Sequence, residues 1–147
     1  AAEREIPWCA SHGAGVICYS PMHSGLLTDS FSAERVRGLP KDDWRGHAPD
    51  FQQPRLGANL RLRDSLRSIA KRYETSVSAI AIAWTLAWPG VSGAIVGART
   101  PNQVDGWIGA ASIRLSEQDL DEIASAIGST GAGAGPAQPE AARQGAA

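Results

Sequence analysis

The sequence has only two cysteines and no excess of charge of either sign, and each of these shortages argues against a class of protein or site. Among its 147 residues, Lys and Arg number 14 and Asp and Glu number 15, so the formal net charge is −1. That balance gives no electrostatic basis for a nucleic-acid or anionic-membrane partner. No apolar run approaches the roughly 20 residues that a membrane-spanning helix needs. We therefore expect a cytoplasmic protein without either partner.

Ligands for a metal ion are also scarce. Cys9 and Cys18 lack the spacing of a zinc pair, which usually has two to four residues between its ends and a second pair elsewhere. His12, His23 and His47 show no i, i+4 pairing on one helix. The sequence therefore predicts no metal site. It favours two reduced cysteines and leaves a disulfide open.

Two short apolar runs, 16–20 (VICYS) and 91–96 (VSGAIV), are typical of buried parallel strands because apolar residues occupy both faces. Strands separated by helices imply a parallel pair in an α/β fold. Two strands are too few for a sheet that buries both faces, so we expect most of the sheet to be absent. Apolar spacing and capping residues predict helices over residues 3–12, 55–73, from 75 or 76 to about 88, from 101 to about 110, and from 117 to about 127.

The segment 22–54 has no sustained period, yet its scattered aromatic residues favour an ordered, functional loop with a short helical turn after Ser32. In the helix predicted next, Arg63 and Arg67 belong to the polar face. Residues 129–147 are mostly Gly, Ala, Pro and Gln and offer no stripe to bury. The sequence thus divides into a folded region, 1–128, and a disordered tail, 129–147.

The first candidate binding motif lies at the end of the first apolar run. A strand-end tyrosine can offer an aromatic face to a flat ring, and a glycine lets backbone N–H groups approach a phosphate closely. A tyrosine packed in a core beside a Ser-Pro turn would explain the same residues. The motif comprises Tyr19, Ser20, Pro21 and Met22, followed by Gly25 and Leu26.

The second candidate motif follows the second apolar run and opens a helix. It reads Gly97-Ala-Arg99-Thr100-Pro101, with Thr100 as the expected cap. The N-terminus of a helix attracts an anion, and the planar guanidinium of Arg99 suits a phosphate. An arginine in a solvated turn is the alternative interpretation.

These two motifs, in this order, resemble the aldo/keto reductase family. That family carries Tyr-Ser-Pro-Leu and then Gly-x-Leu-Thr at the end of its seventh barrel strand, and its 2′-phosphate site follows the eighth. Residues 75–86 resemble the family's buried helix before the last strand, and the loop 39–45 (LPKDDWR) resembles one bacterial group. The resemblance covers about residues 5–127. It implies the C-terminal fragment of a (β/α)8 TIM barrel, mostly helical with two parallel strands.

The resemblance also implies the ligand and its contacts. The cofactor would be NADP(H), with Arg99 facing the 2′-phosphate. The family's catalytic Asp, Tyr, Lys and His come from earlier strands, so no catalytic residue is expected in this chain. The residues implied to bind the cofactor are Tyr19, Ser20, Pro21, Met22, Gly25, Leu26, Gly97, Arg99 and Gln103.

Two departures from the family pattern bear on this site. Many members continue Gly-Leu-Leu-Thr with Gly and then a basic residue, whereas Asp29 and Ser30 stand here, and an acid beside a pyrophosphate is unfavourable unless it points away. Many members carry Glu-Asn in contact with the adenosine where Gly106 and Trp107 stand. The phosphate contact is therefore better supported than the adenine contacts.

The expected function is that of the C-terminal, cofactor-binding part of an NADP(H)-dependent aldo/keto reductase, inactive by itself. In the full enzyme it would meet NADPH and a carbonyl substrate, and the chain's start at Ala1 suggests a piece of something longer. One alternative is a non-catalytic binding or complementing module, completed by a separate N-terminal half of the barrel. A second is an interaction protein that resembles the family's channel-associated members.

Deleting residues 129–147 is expected to leave the melting temperature unchanged, because the tail has no apolar stripe to dock. Calorimetry of the chain with and without these residues measures the effect. A large drop in melting temperature would show that the tail packs on the folded region.

Overall fold

The computed structural model describes residues 1–139 and contains a two-stranded sheet packed among helices. This architecture confirms the expected mostly helical α/β chain with two parallel strands. Short 3-10 segments occupy parts of the connections. The elements are α1 (Glu5–Ser11), β1 (Val16–Tyr19), α2 (Ala33–Arg37), α3 (Arg55–Arg72), α4 (Val77–Leu86), β2 (Val91–Ile95), α5 (Pro101–Asp105) and α6 (Glu117–Thr130).

Strands β1 and β2 pair in parallel, with Ile17 opposite Gly93 and Tyr19 opposite Ile95. One face of this sheet is covered, because Ala94 packs in a cluster with residues of α4. The other face is open: Ile17, Tyr19 and Ile95 are 65%, 81% and 62% exposed. Both strands have the apolar composition of buried strands, but the described residues cover only one face of them.

The main core lies between α3, α4 and α6. It contains Leu66 and Ile69 from α3, Val77 and Ile80 from α4, and Ile123 from α6. Each such side chain contributes about 1.5–3 kcal/mol when fully buried. Helix α4 is buried on several sides, as its nearly continuous apolar sequence predicts.

Side-chain caps fix the starts of three helices. Ser32, Ser76 and Ser116 each accept a hydrogen bond from the backbone N–H three residues later, at 3.2, 3.0 and 3.2 Å. Each bond satisfies one of the N–H groups that a helix start leaves without a partner. The helical turn expected after Ser32 is thus present as α2.

Two sequence predictions about local structure are wrong. Arg63 is buried, not exposed on the polar face of α3, because its guanidinium donates to the carbonyl of Phe31 in the long connection. Helix α5 ends at Asp105, and a 3-10 segment follows it from Ile108. Thr100 occupies the N-cap position of α5, but its side chain makes no capping hydrogen bond.

The long connection from β1 to α3 is ordered by aromatic packing. Phe31 and Phe51 are 3% and 2% exposed, and their rings meet edge to face at 5.8 Å. Leu26 and Leu56 complete this cluster, so the connection packs onto the start of α3. Buried aromatics fix the connection despite its lack of long helices or strands.

The end of the folded region lies slightly later than predicted. Helix α6 continues to Thr130, and Gly131 follows in the left-handed conformation with φ 68°. Ala132 is buried and packs beside Ala58 and Leu62. The first residues of the predicted tail are therefore ordered, up to Ala132. Disorder beyond them stays a prediction, and residues 140–147 lie outside the described range.

The described range contains no helix with the length and apolar character to cross a membrane. Within the same residues, both cysteines are free thiols, and no three acidic, His or Cys side chains group as a metal site.

A buried carboxylate links α3 to the start of α6. Asp119 accepts hydrogen bonds from Tyr73 and Arg72, both at 2.6 Å, and from the backbone N–H of Ser116 at 2.9 Å. Burial alone would raise the pKa of Asp119, but the hydrogen bonds from Ser116, Tyr73 and Arg72 outweigh it and lower that pKa. The ionised carboxylate therefore contributes stability.

Asp119→Asn is expected to lower the free energy of unfolding by about 1–3 kcal/mol near neutral pH, since hydrogen bonds to a charged group are lost. Because the folded-state pKa is lowered, the contribution is complete above the ordinary value of about 4 and is lost as pH falls below it. Urea unfolding between pH 7 and pH 2.5 measures it. The exposed Glu117→Gln is the control, and a difference between Asp119→Asn and wild type that stays constant down to pH 2.5 would contradict this account.

Candidate functional site

The two sequence motifs meet because the strands that precede them are parallel neighbours. Tyr19 and Ile95 are paired at the ends of β1 and β2, so the chain leaves both strands at the same end of the sheet. A cavity of about 620 Å³ lies there, within the range of small-molecule sites. In open α/β sheets and in barrels, ligands bind at this carboxyl end of the strands.

Eight of the nine residues that the sequence assigned to cofactor binding line this cavity. The exception is Leu26, which is fully buried and packs against Phe31, Phe51 and Leu56. Its side chain therefore packs within the long connection and does not line the cavity. The eight lining residues are Tyr19, Ser20, Pro21, Met22, Gly25, Gly97, Arg99 and Gln103.

The loop after β1 has an unusual backbone. Ser20, His23 and Ser24 have φ of 55°, 49° and 54°, in the left-handed region that non-glycine residues seldom adopt, and Gly25 follows with φ 100°. Such residues cost about 1–3 kcal/mol each and are concentrated at binding sites. The N–H group of Gly25 is used within the loop, because it donates to the carbonyl of Met22 at 3.1 Å.

Asp29, the acid at a position where many aldo/keto reductases have glycine, is neutralised by neighbouring elements. Its carboxylate accepts the backbone N–H of Val77 at the start of α4, at 3.1 Å, and lies 3.4 Å from the guanidinium of Arg67. Arg67 also donates to the backbone carbonyl of Asp29 at 2.9 Å. The acid lines the cavity, but its charge is compensated by a helix N-terminus and a cation.

Gln103 stabilises the loop of the second motif by a hydrogen bond. Its side-chain oxygen accepts the backbone N–H of Arg99 at 2.7 Å, which fixes the loop between β2 and α5. Helix α5 has only five residues and is too short to add a strong dipole. The guanidinium of Arg99 is therefore the main feature of this loop that attracts an anion.

Two further arginines line the cavity, and neither was predicted from the sequence. Arg35 lies over the ring of Phe31, 5.9 Å from its centre, and Arg45 is paired with Asp43. Both come from the long connection, which approaches the loop after β2 only in the folded chain. The LPKDDWR sequence identified a family loop, but no local signal indicated that Arg45 would face the cavity.

The cavity also reaches the start of α4 and the end of α5. Ser76 and Ser78 line it, and the hydroxyl of Ser76 donates to the carbonyl of Gly106 at 2.6 Å. Trp107 contributes an aromatic wall and, like Met22 and Val96, packs against the buried cluster that includes Ile82. Its indole N–H is buried and has no acceptor within residues 1–139. An apolar ring thus stands where many family members have a polar residue.

Comparison with known proteins identifies the family. Residues 1–127 match the aldo/keto reductase family. The chain belongs to the aldo/keto reductase family. A solved structure, the glycerol dehydrogenase from Gluconobacter oxydans, superposes with a TM-score of 0.78 at 29% identity and covers 88% of this chain. The two strands and their helices therefore correspond to part of an aldo/keto reductase TIM barrel.

The relatives are much longer than this chain. Aldo-keto reductase YhdN from Bacillus subtilis is 32% identical over 122 residues, which cover 82% of this chain and 36% of YhdN. NADH-specific methylglyoxal reductase from Escherichia coli is 29% identical over 131 residues, or 86% of this chain and 39% of that enzyme. The match also spans 38% of the glycerol dehydrogenase chain. This aldo/keto reductase chain thus spans somewhat more than a third of the proteins that it resembles.

Proposed function

We propose that this chain is the C-terminal, cofactor-binding part of an NADP(H)-dependent aldo/keto reductase, whose full-length protein reduces aldehydes or ketones. The observation that carries the proposal is the convergence of the two motifs on one cavity. Tyr19 and Gly25 come from the first motif, and Gly97 and Arg99 from the second. A dinucleotide is long enough to touch both loops.

The residues that line the cavity fit a phosphorylated dinucleotide. Arg35, Arg45 and Arg99 supply guanidinium groups, which bind phosphate oxygens in a planar, bidentate way. A Cβ atom at Gly97 would meet no atom within 4 Å, so open space adjoins this backbone. Asp29, the acid that follows the first motif, is already held by α4 and Arg67. Nothing in the charge arrangement therefore opposes a bound phosphate.

Tyr19 would serve the other end of the cofactor. Its ring is 81% exposed at the end of β1 and lines the cavity, so an aromatic face is free to pack on a flat ring such as nicotinamide. The bound cofactor would supply the hydride. This chain's residues would bind and orient it, while the proton donor would come from the barrel strands that the family resemblance places earlier.

NADP(H) is proposed over NAD(H) because of Arg99. The names of relatives do not decide the preference, since one is an NADH-specific reductase from Escherichia coli and another, from Schizosaccharomyces pombe, is named for NADP(+). Arg99 lines the cavity, in a loop whose sequence resembles that of the family's 2′-phosphate site. A guanidinium there favours the cofactor with the additional phosphate.

A second candidate function is that of a complementing module, and the open sheet face favours it. Ile17, Tyr19 and Ile95 form an apolar surface on the side of the sheet away from α4. The sheet has only two strands, so each strand has one edge without a neighbour in the described residues. The partner would be an N-terminal half of the barrel that supplies the remaining strands.

Arg99→Ala in the full-length protein is expected to weaken NADPH binding about ten- to a hundredfold and to narrow the preference over NADH, since a charge-assisted hydrogen bond contributes about 1.5–3 kcal/mol. Fluorescence titration with both cofactors measures the two dissociation constants. Arg37→Ala removes an exposed arginine outside the cavity and should change neither. An equal loss for both cofactors in the Arg99 variant would refute the assignment to the 2′-phosphate.

The chain by itself is expected to show no reductase activity. Its open sheet leaves apolar side chains in water, each forgoing about 1.5–3 kcal/mol, against a total stability of about 5–15 kcal/mol for a typical domain. We therefore expect a marginal or self-associated polypeptide. The test is NADPH oxidation with a panel of reactive aldehydes, compared with a blank without protein. Turnover above the blank that Arg99→Ala abolishes would contradict the prediction.

Mixing the chain with a polypeptide that holds the earlier barrel strands separates the two candidates. A complementing module should gain activity on mixing, with saturation at equal amounts of the two polypeptides. A segment that works only within one continuous chain should gain none.

A further inference from the structure

Arg45 is the most firmly held of the three arginines in the cavity. Its Nε donates to Oδ1 of Asp43 at 2.9 Å, and Nη2 donates to Oδ2, so the pair is bidentate. The same Oδ1 accepts the backbone N–H of Arg45 at 3.0 Å. Only 12% of the Arg45 side chain and 16% of the Asp43 side chain are exposed. The carboxylate thus fixes both the backbone and the guanidinium of Arg45.

The way in which Asp43 binds leaves one edge of the guanidinium available. A guanidinium can offer two bidentate edges, and Asp43 occupies the one formed by Nε and Nη2. Nη1 has no acceptor in the part of the chain that the structure describes, while Arg45 lines the cavity and Asp43 does not. The free edge, formed by Nη1 and Nη2, has the geometry that a phosphate group accepts.

Asp43 also lies within electrostatic reach of the second motif. The pKa of Asp43 is lowered to about 2, first by its hydrogen bond with Arg45 and in smaller part by the charge of Arg99. The carboxylate therefore stays ionised at any pH near neutrality. The carboxylate binds Arg45 and also interacts electrostatically with Arg99. These two arginines come from different segments, the long connection and the loop after β2.

We propose that Asp43 is a positioning residue for phosphate binding: it holds Arg45 so that the Nη1–Nη2 edge faces the cavity. This inference rests on the proposed function, since the phosphate group would be part of the dinucleotide. Asp43 itself touches no ligand. Its effect passes through Arg45, whose side chain would otherwise sample several rotamers.

Two effects of removing Asp43 oppose each other. Loss of the negative charge makes the cavity more positive, which favours an anion by simple Coulomb attraction. Loss of the bidentate pair lets Arg45 move and face solvent, which weakens anion binding. We expect the second effect to be larger, because Asp43 binds Arg45 at hydrogen-bond distance while its charge is already compensated by that same group.

Asp43→Ala in the full-length protein is expected to weaken NADPH binding about three- to thirtyfold, which lies within the range of coupling between contacting residues. Asp42→Ala is the matched control, because it removes an exposed acid from the same loop that makes no hydrogen bond to Arg45. It should leave binding unchanged or slightly tighter. Tighter binding in Asp43→Ala would overturn the proposal and show that the carboxylate acts only by its charge.

A double-mutant cycle with Arg45→Ala separates positioning from a general structural role. If Asp43 acts through Arg45, the double variant should bind NADPH no more weakly than Arg45→Ala alone. Fully additive losses would overturn the proposal. Asp43→Asn, which keeps a side-chain oxygen but not the charge, repeats the comparison if Asp43→Ala fails to fold, and its loss should again vanish in the Arg45→Ala background.

The Arg99→Ala variant distinguishes failure of this inference from failure of the proposed function. Weak binding in Arg99→Ala together with unchanged binding in Asp43→Ala would leave the cofactor site standing and overturn the role of Asp43. A wild-type protein that does not bind NADPH at all would overturn both.

Discussion

The parallel pairing of β1 (Val16–Tyr19) with β2 (Val91–Ile95) is the constraint on which the rest of this structure depends. Two neighbouring parallel strands have their carboxyl ends at the same end of the sheet, so the loops that follow them must lie together. The long connection and two helices separate these loops along the sequence. Pairing of Tyr19 with Ile95 nevertheless brings both motifs to one cavity. An antiparallel pair would have placed them at opposite ends.

The acids at the cavity are paired with cations or N–H donors, whereas the guanidinium of Arg99 has no carboxylate partner among the described residues. Asp29 is held by the start of α4 and by Arg67, and Asp43 is held by Arg45. Arg99 has no such carboxylate partner within residues 1–139. The cavity is therefore suited to an anion even though the formal net charge of the whole chain is only −1. Composition describes the average charge, whereas binding depends on where the charges are placed.

The open face of the sheet links stability to function in this chain. Helix α4 covers one face, while Ile17, Tyr19 and Ile95 on the other are more than half exposed. Tyr19 belongs both to this open face and to the cavity. Strands that covered the face would also enclose the tyrosine that is proposed to meet the nicotinamide. In the proposed full barrel, the strands that complete the sheet would therefore also complete the binding site.

The sequence by itself determined the order of elements, the parallel pair and eight of the residues that line the cavity. Those signals are local: apolar runs, capping residues such as Ser76 and Ser116, and two motifs that each follow a strand. Only the tertiary structure decided that Arg63 and Leu26 are buried, that Asp29 binds α4, and that Arg45 faces the cavity. Each of those outcomes depends on contacts between segments far apart in the sequence, where the position of a side chain follows from its partner and not from its neighbours along the chain.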